Sequence, residues 1–175
     1  MKLSRPIIFL GFEGVISLAP YAVMCKVLNA ALRGKVAEDA LLQQLFCSEA
    51  CENLVTLQRE FDVRFVVTSI WGDILFKDEL ISLLKKCGLD FITSNLHEHW
   101  KVPFDDFAFK REEVENWLRL YGKKTKSFVI LDDEEGVLSF RNSPLAARTV
   151  TCVTQHGLDQ AQLEEARQLM TDGQI

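Results

Sequence analysis

Ile7-Ile8-Phe9-Leu10-Gly11-Phe12-Glu13-Gly14-Val15 is a run of four apolar residues that breaks into a turn holding two glycines and one acid. A strand with one face in water alternates apolar and polar residues. A short run that is apolar throughout predicts a central parallel strand buried on both faces. Gly14 suits the turn that follows, since glycine tolerates positive φ. The preceding Met1-Lys2-Leu3-Ser4-Arg5 is basic, as at the start of a signal peptide. An apolar core of such a peptide continues for about 7–15 residues, whereas Gly11, Glu13 and Gly14 interrupt this one at once.

Further strands are expected at Val63–Val67, rich in β-branched residues, at Ser127–Leu131, stopped by Asp132-Asp133, and at Arg148–Val153. Phe91-Ile92-Thr93 reads as a short strand and Ser94 to Phe107 as a long loop. Helical tendency runs from about Leu18 to Leu45, with Pro20 as a start and Gly34 as a break. Ser48 is an N-cap for a helix reaching about Glu60. Asp78–Lys86 is a helix with Gly88 at its C′ position. Lys110–Tyr121 is a helix with Val114, Trp117, Leu118 and Tyr121 inward, and Leu158–Met170 closes the chain. Strands alternating with helices predict an α/β fold, a parallel sheet with helices on both faces. Sites in such sheets form beyond the carboxyl ends of the strands. Those ends here are Gly11-Phe12-Glu13, Thr68-Ser69 and Asp132-Asp133.

The 175 residues suit one domain, and 48% hydrophobic with 26% charged residues is an ordinary globular composition. A net charge of −5 disfavours an extended contact with nucleic-acid phosphates. No run approaches the roughly 20 apolar residues of a membrane helix. The five cysteines are odd in number and loosely spaced, which suits reduced thiols and a cytoplasmic chain. Cys47 and Cys51, four apart, would share a helix face as half-buried small residues.

Taken in order, Ile7 to Val15, Phe65-Val66-Val67-Thr68-Ser69, Lys110 and Phe128-Val129-Ile130-Leu131-Asp132-Asp133-Glu134 resemble the four motifs of the haloacid-dehalogenase-like (HAD) superfamily. In that superfamily the first strand ends in Asp-x-Asp-Gly, the second in Thr or Ser, a Lys opens or precedes a later helix, and a further strand ends in an acidic pair. Thr68-Ser69-Ile70-Trp71-Gly72 is similar to the Thr-Ser-x-Trp-Arg signature of a bacterial branch whose domains also occur in modular (Swiss Army Knife) RNA-repair proteins. The likeness runs from about Ile7 to Met170. It implies a Rossmann-like three-layer α/β/α sandwich, a five-stranded parallel sheet of order 3-2-1-4-5, and a small helical cap insertion at about residues 16–45.

The resemblance also implies a chemistry. The first Asp would form an aspartyl-phosphate, and the second would act as acid and base. Mg2+ would be held by the first Asp, a carbonyl and an acid of the fourth motif. Thr or Ser and Lys would hold the phosphoryl oxygens. This chain departs from the pattern where the covalent step would occur. Gly11 stands at the nucleophile position, and Glu13 stands where the general acid would be. Gly72 replaces the Arg of the branch signature.

Transferred residue by residue, Glu13 and Lys110 are the catalytic candidates. Thr68, Ser69 and Lys110 are the phosphate ligands, and Glu13, Asp132 and Asp133 are the metal ligands. Each carries a plainer alternative. Glu13 could be an exposed turn residue, Thr68 and Ser69 could be caps, and Lys110 could be a solvated residue. One of the two Asp could be an N-cap. His97-Glu98-His99 reads as solvated loop, Lys123-Lys124-Thr125-Lys126 as solvated surface, and Trp71, Trp100 and Trp117 as packing residues. Three functions follow. The chain is a phosphatase-like module that binds a phosphorylated small molecule, a divalent metal or a protein partner without a covalent route. Alternatively it is a Mg2+-dependent phosphohydrolase using displaced carboxylates, or an inert interaction module.

Overall fold

The structure, a computed structural model, describes residues 5–103, 108–125 and 127–173. The order is β1 (Ile7–Leu10), α1 (Tyr21–Leu32), α2 (Asp39–Leu45), α3 (Ser48–Phe61), β2 (Arg64–Val67), α4 (Trp71–Ile74), α5 (Lys77–Lys86), α6 (Asp90–Ser94), β3 (Leu96–Lys101), α7 (Lys110–Tyr121), β4 (Phe128–Asp133), β5 (Thr149–Cys152) and α8 (Gln160–Asp172). The five strands are parallel in the order β3-β2-β1-β4-β5. This is the Rossmann-like α/β sheet that the motif order implies. Among the described residues no helix is long and apolar enough to cross a membrane.

The pleat splits the apolar residues of β1 between two layers. Ile7 and Phe9 join Val66, Ile130, Val114 and Trp117 on the α7 side. The Phe9 ring meets Trp117 edge-on at 5.2 Å. Ile8 and Leu10 join Phe65, Val67, Val129 and Leu131 on the other side, over Leu54, Leu57, Leu163 and Ala166 of α3 and α8. Burial on both faces is why β1 and most of β4 read as unbroken apolar runs.

Between β1 and α3 the chain makes an excursion through α1 and α2 and returns to its starting place. Ser17 Oγ donates to the Leu45 carbonyl at 2.7 Å, and the Cys47 amide donates to the Ile16 carbonyl at 2.8 Å. Phe12, Phe46 and Trp71 pack edge-on or tilted beside this closure, with Phe12 to Trp71 at 5.3 Å.

Several sequence expectations are corrected. Phe91-Ile92-Thr93 lies in helix α6, and the third strand is the polar stretch Leu96–Lys101 taken for loop. β3 is an edge strand half exposed to water, so it carries His97, Glu98 and His99 and shows no apolar run. The part of the expected loop at residues 104–107 lies outside the described residues. β4 does not stop before Asp132-Asp133 but includes both, pairing them with Thr151 and Cys152. Cys47, not Ser48, is the N-cap of α3, and Tyr121 is exposed at the end of α7.

Candidate functional site

Strand register assembles the site. Phe9 pairs with Val66 on one side and Ile130 on the other. Two residues on from these come Gly11, Thr68 and Asp132, which therefore share the α7 face at the carboxyl edge. The ladder continues far enough to hold them, since the Gly11 amide donates to the Leu131 carbonyl at 2.9 Å and the Thr68 amide to the Leu10 carbonyl at 3.0 Å. α7 packs on that face through Val114 and Trp117, and Lys110 is its first residue.

Asp132 is only 1% exposed. Lys110 Nζ donates to its Oδ1 at 3.0 Å and lies 2.7 Å from Oδ2. The second approach is off the hydrogen-bonding direction, so Oδ2 has no hydrogen-bond partner among the described residues. The Asp133 amide also donates to Oδ1 at 3.0 Å. Burial pushes the Asp132 carboxyl above its ordinary range against the pull of the Lys110 ammonium, and the neighbouring Asp133 charge pushes the same way as burial. A cation at the first residue of a helix opposes the helix dipole, and here Asp132 supplies the compensating charge.

Gly11 acquires a structural meaning from Asp132. A Cβ built at position 11 would lie 2.8 Å from Asp132 Oδ1 and 3.2 Å from the Leu131 carbonyl oxygen. The carboxylate of Asp132 thus stands where a side chain at 11 would begin. Gly136 closes the other side, because any Cβ there would overlap the same carboxylate. Motif matching missed Gly136, although a glycine just after Asp132-Asp133-Glu134-Glu135 was a usable signal.

Glu13 accepts a hydrogen bond from Ser69 Oγ at 2.7 Å, and Ser69 Oγ accepts one from the Trp71 amide at 3.2 Å. Ser69 therefore does two things, capping the turn into α4 and tethering the Glu13 carboxylate. The Thr68 hydroxyl is different. Thr68 is 4% exposed and its Oγ1 has no partner among the described residues. An orphaned buried hydroxyl costs roughly 1–3 kcal/mol. Asp133 Oδ1 accepts from the Gly136 amide at 2.7 Å.

Among the described residues the carboxylates are not gathered into one cluster. Glu13 is held by Ser69, Asp132 by Lys110 and Asp133 by the Gly136 amide, and Gly11 contributes no ligand. Among the described residues no group of three His, Cys, Asp or Glu is placed to hold a metal ion. His97 and His99 share a face of β3 with ring centroids 5.8 Å apart, and His99 stacks on Tyr121 at 3.6 Å. Trp71 and Trp117 are fully buried packing residues. Lys101, another residue absent from the motif reading, reaches the Gly72 carbonyl with Nζ at 2.7 Å and lies 3.4 Å from Asp73.

No curated protein and no solved structure matches the chain. A family model does match it over residues 7–163, which include Gly11, Glu13, Thr68, Ser69, Lys110, Asp132 and Asp133. HAD domains generally use Mg2+. The strand order, the register at the carboxyl edge and this match agree: the chain belongs to the family described as the HAD domain in Swiss Army Knife RNA repair proteins.

Proposed function

We propose that the protein is a HAD-fold module that binds a phosphate group at the carboxyl edge of its sheet and does not pass through an aspartyl-phosphate. The observation that carries the reading is the buried hydroxyl of Thr68, which has no partner among the described residues and lies on the same face as Lys110. An anion there would accept from Thr68 Oγ1 and attract the Lys110 ammonium. Lys110 would exchange part of its bond with Asp132 for the ligand. The raised affinity of Asp132 for a proton eases that exchange, because a protonated Asp132 releases the ammonium.

The covalent route lacks a nucleophile at Gly11, and a new side chain there would collide with Asp132. Glu13 is placed to keep a carboxylate beside the bound group, tethered by Ser69. The ligand is a phosphorylated small molecule or a phosphorylated partner. The family description links relatives to RNA repair, but a net charge of −5 suits recognition of one phosphate group better than a run of them.

Calorimetric titration with inorganic phosphate or vanadate tests the reading. Wild type is expected to bind, Thr68→Val to bind about tenfold more weakly, consistent with one hydrogen bond to a charged group at ~1.5–3 kcal/mol, and Lys110→Met to bind more weakly still. No heat for wild type, or unchanged affinity in both variants, sinks it. A phosphatase assay with a generic phosphomonoester and Mg2+ tests the lost covalent route, and turnover comparable to active HAD phosphatases counts against that part of the reading.

A further inference from the structure

The excursion between β1 and α3 leaves a cleft against α5 that shares no residue with the carboxyl-edge site. Its volume is about 260 Å³, just under the ~300–1,000 Å³ of sites for drug-sized ligands. Val27 and Ala31 of α1, Ala37 of the turn that follows, Leu42 of α2 and Leu83 of α5 form its walls. These walls are continuous with the main core. Val27, Leu42 and Leu83 are buried within it, and Ala31 and Ala37 pack against it. Two of the wall positions carry alanine, which leaves space that a longer side chain would fill. Gly34 also borders the cleft, and a Cβ there would meet nothing within 4 Å, so this side is open. The lining holds aliphatic side chains and no aromatic ring.

The rim is charged. Glu79, Ser82, Leu83 and Lys86 fall at i, i+3, i+4 and i+7, so one face of α5 lines the cleft from first turn to last. Glu79 and Lys86 are about 10 Å apart along the helix axis, at 1.5 Å per residue. Acid and ammonium therefore stand at opposite ends of that face, with Leu83 between them. The Glu79 carboxylate is engaged, since it accepts from the Phe76 amide at 2.7 Å. Lys86 and Lys35 make no ion pair among the described residues, and neither does Asp78. Two unpaired ammoniums thus face one unpaired carboxylate around an aliphatic space.

We propose that this cleft is a binding site for a short aliphatic carboxylate. Its hydrocarbon lies against Ala31, Ala37, Leu42 and Leu83, and its carboxylate meets Lys86, with Lys35 as the second rim ammonium. The proposal does not depend on phosphate binding at Thr68 and Lys110. A hydrocarbon body gains by leaving water for aliphatic walls. The sign of the head group is set by the excess of unpaired cations, since a bond between ammonium and carboxylate is charge-assisted. An occupant that touches both α1 and α5 binds only the folded chain, so it raises the melting temperature.

The test is calorimetry and thermal unfolding of the whole chain with butyrate, hexanoate, octanoate and octylammonium. Affinity is expected to rise about tenfold for every two methylenes up to octanoate, with a single octanoate per chain. Octanoate is expected to bind about tenfold more tightly than octylammonium and to raise the melting temperature. Inorganic phosphate is expected not to compete, because the carboxyl-edge site is separate. Lys35→Gln combined with Lys86→Gln should bring the two head groups within about threefold while the dependence on chain length remains. Ala31→Leu, which fills the cleft, should weaken octanoate at least about tenfold; Ala37→Leu serves the same purpose if Ala31→Leu does not melt cooperatively. No heat from millimolar octanoate overturns the proposal. Equal binding of octanoate and octylammonium by wild type overturns the carboxylate assignment. Octanoate binding that is displaced by phosphate, or that survives both the filled cleft and the lysine substitutions, places it elsewhere and overturns the site.

Discussion

Placing a side chain at Gly11 is the perturbation that best separates a merely lost nucleophile from a rebuilt site. A Cβ at position 11 lies 2.8 Å from Asp132 Oδ1, 3.4 Å from Asp132 Cγ and 3.2 Å from the Leu131 carbonyl oxygen. Asp132 has little room to withdraw, because Gly136 backs it, the Lys110 ammonium bonds Oδ1 and pairs with the carboxylate, and the Asp133 amide also binds Oδ1. Overpacking of this kind costs about 1–3 kcal/mol. For a chain of this size each kcal/mol lowers the melting temperature by about 2–4 °C, so Gly11→Ala should melt roughly 2–12 °C lower. Gly11→Asp adds a carboxylate beside Asp132. Two such charges about 4 Å apart repel by ~4 kcal/mol at an effective dielectric of 20, and Lys110 offsets part of this. Gly11→Asp should thus be less stable than Gly11→Ala at pH 8, with the gap narrowing near pH 4 as the pair takes up a proton. Gly11→Asp is therefore expected not to raise phosphomonoester turnover above that of wild type. The assay is thermal unfolding of the three proteins at both pH values. A melting temperature for Gly11→Ala within about 1 °C of wild type would refute the crowding argument. Equal stability of the Ala and Asp variants at pH 8 would refute the electrostatic part.

Other outcomes follow from the same geometry. The Asp132 carboxyl titrates above 3.8 in the folded chain, so its contribution to stability is present below that value and is lost as pH rises through the raised folded value. Asp132→Asn removes this titration; its stability relative to wild type, read as urea midpoints from pH 4 to 8, should increase with pH, and parallel profiles would contradict it. Phe76 and Phe109 stand at the N-caps of α5 and α7 with no side-chain oxygen to offer, so Phe76→Ser and Phe109→Ser should each stabilise the chain by about 0.5–2 kcal/mol; a lower melting temperature in either would contradict this. Burial pushes the Cys51 thiol to about 12 and the Cys87 thiol to about 11. At pH 8 both should alkylate at least about a hundredfold more slowly than a free thiol, as mapped by mass spectrometry, and labelling at the free-thiol rate would show that the helices part there.

The legibility of the sequence varied with burial. β1 and β4 were visible because parallel strands covered on both faces must be apolar along their whole length, and Ile7–Leu10 and Phe128–Leu131 are. β3 was not visible. Among the described residues it pairs only with β2, through Phe65 with Leu96 and Val67 with Lys101, and it is half exposed. Edge strands are held by backbone hydrogen bonds more than by side-chain burial, so composition says little about them. The apolar Phe91-Ile92-Thr93 beside it drew the strand assignment because a short apolar run has no period of its own. The end of β4 was misjudged for a related reason. Asp132 and Asp133 read as a stop, yet a charged residue can remain in a ladder when a partner such as Lys110 meets it.

By itself the sequence showed strands alternating with helices, the residue types at the strand ends and a glycine at position 11, and its resemblance to the HAD motifs implied the sheet order. All but the sheet order are local features, namely buried runs, their succession and the residue types at their ends. Tertiary structure alone decided what those residues do to one another. It placed the Asp132 carboxylate against Gly11, tied Glu13 to Ser69, left the Thr68 hydroxyl without a partner among the described residues and turned Phe76 and Phe109 to water. The physical reason is that a glycine, a hydroxyl or an exposed ring has no fixed role along the chain. Its energy is set by the atoms beside it, and here these come from strands and helices up to about 120 residues away in sequence, as Gly11 and Asp132 are.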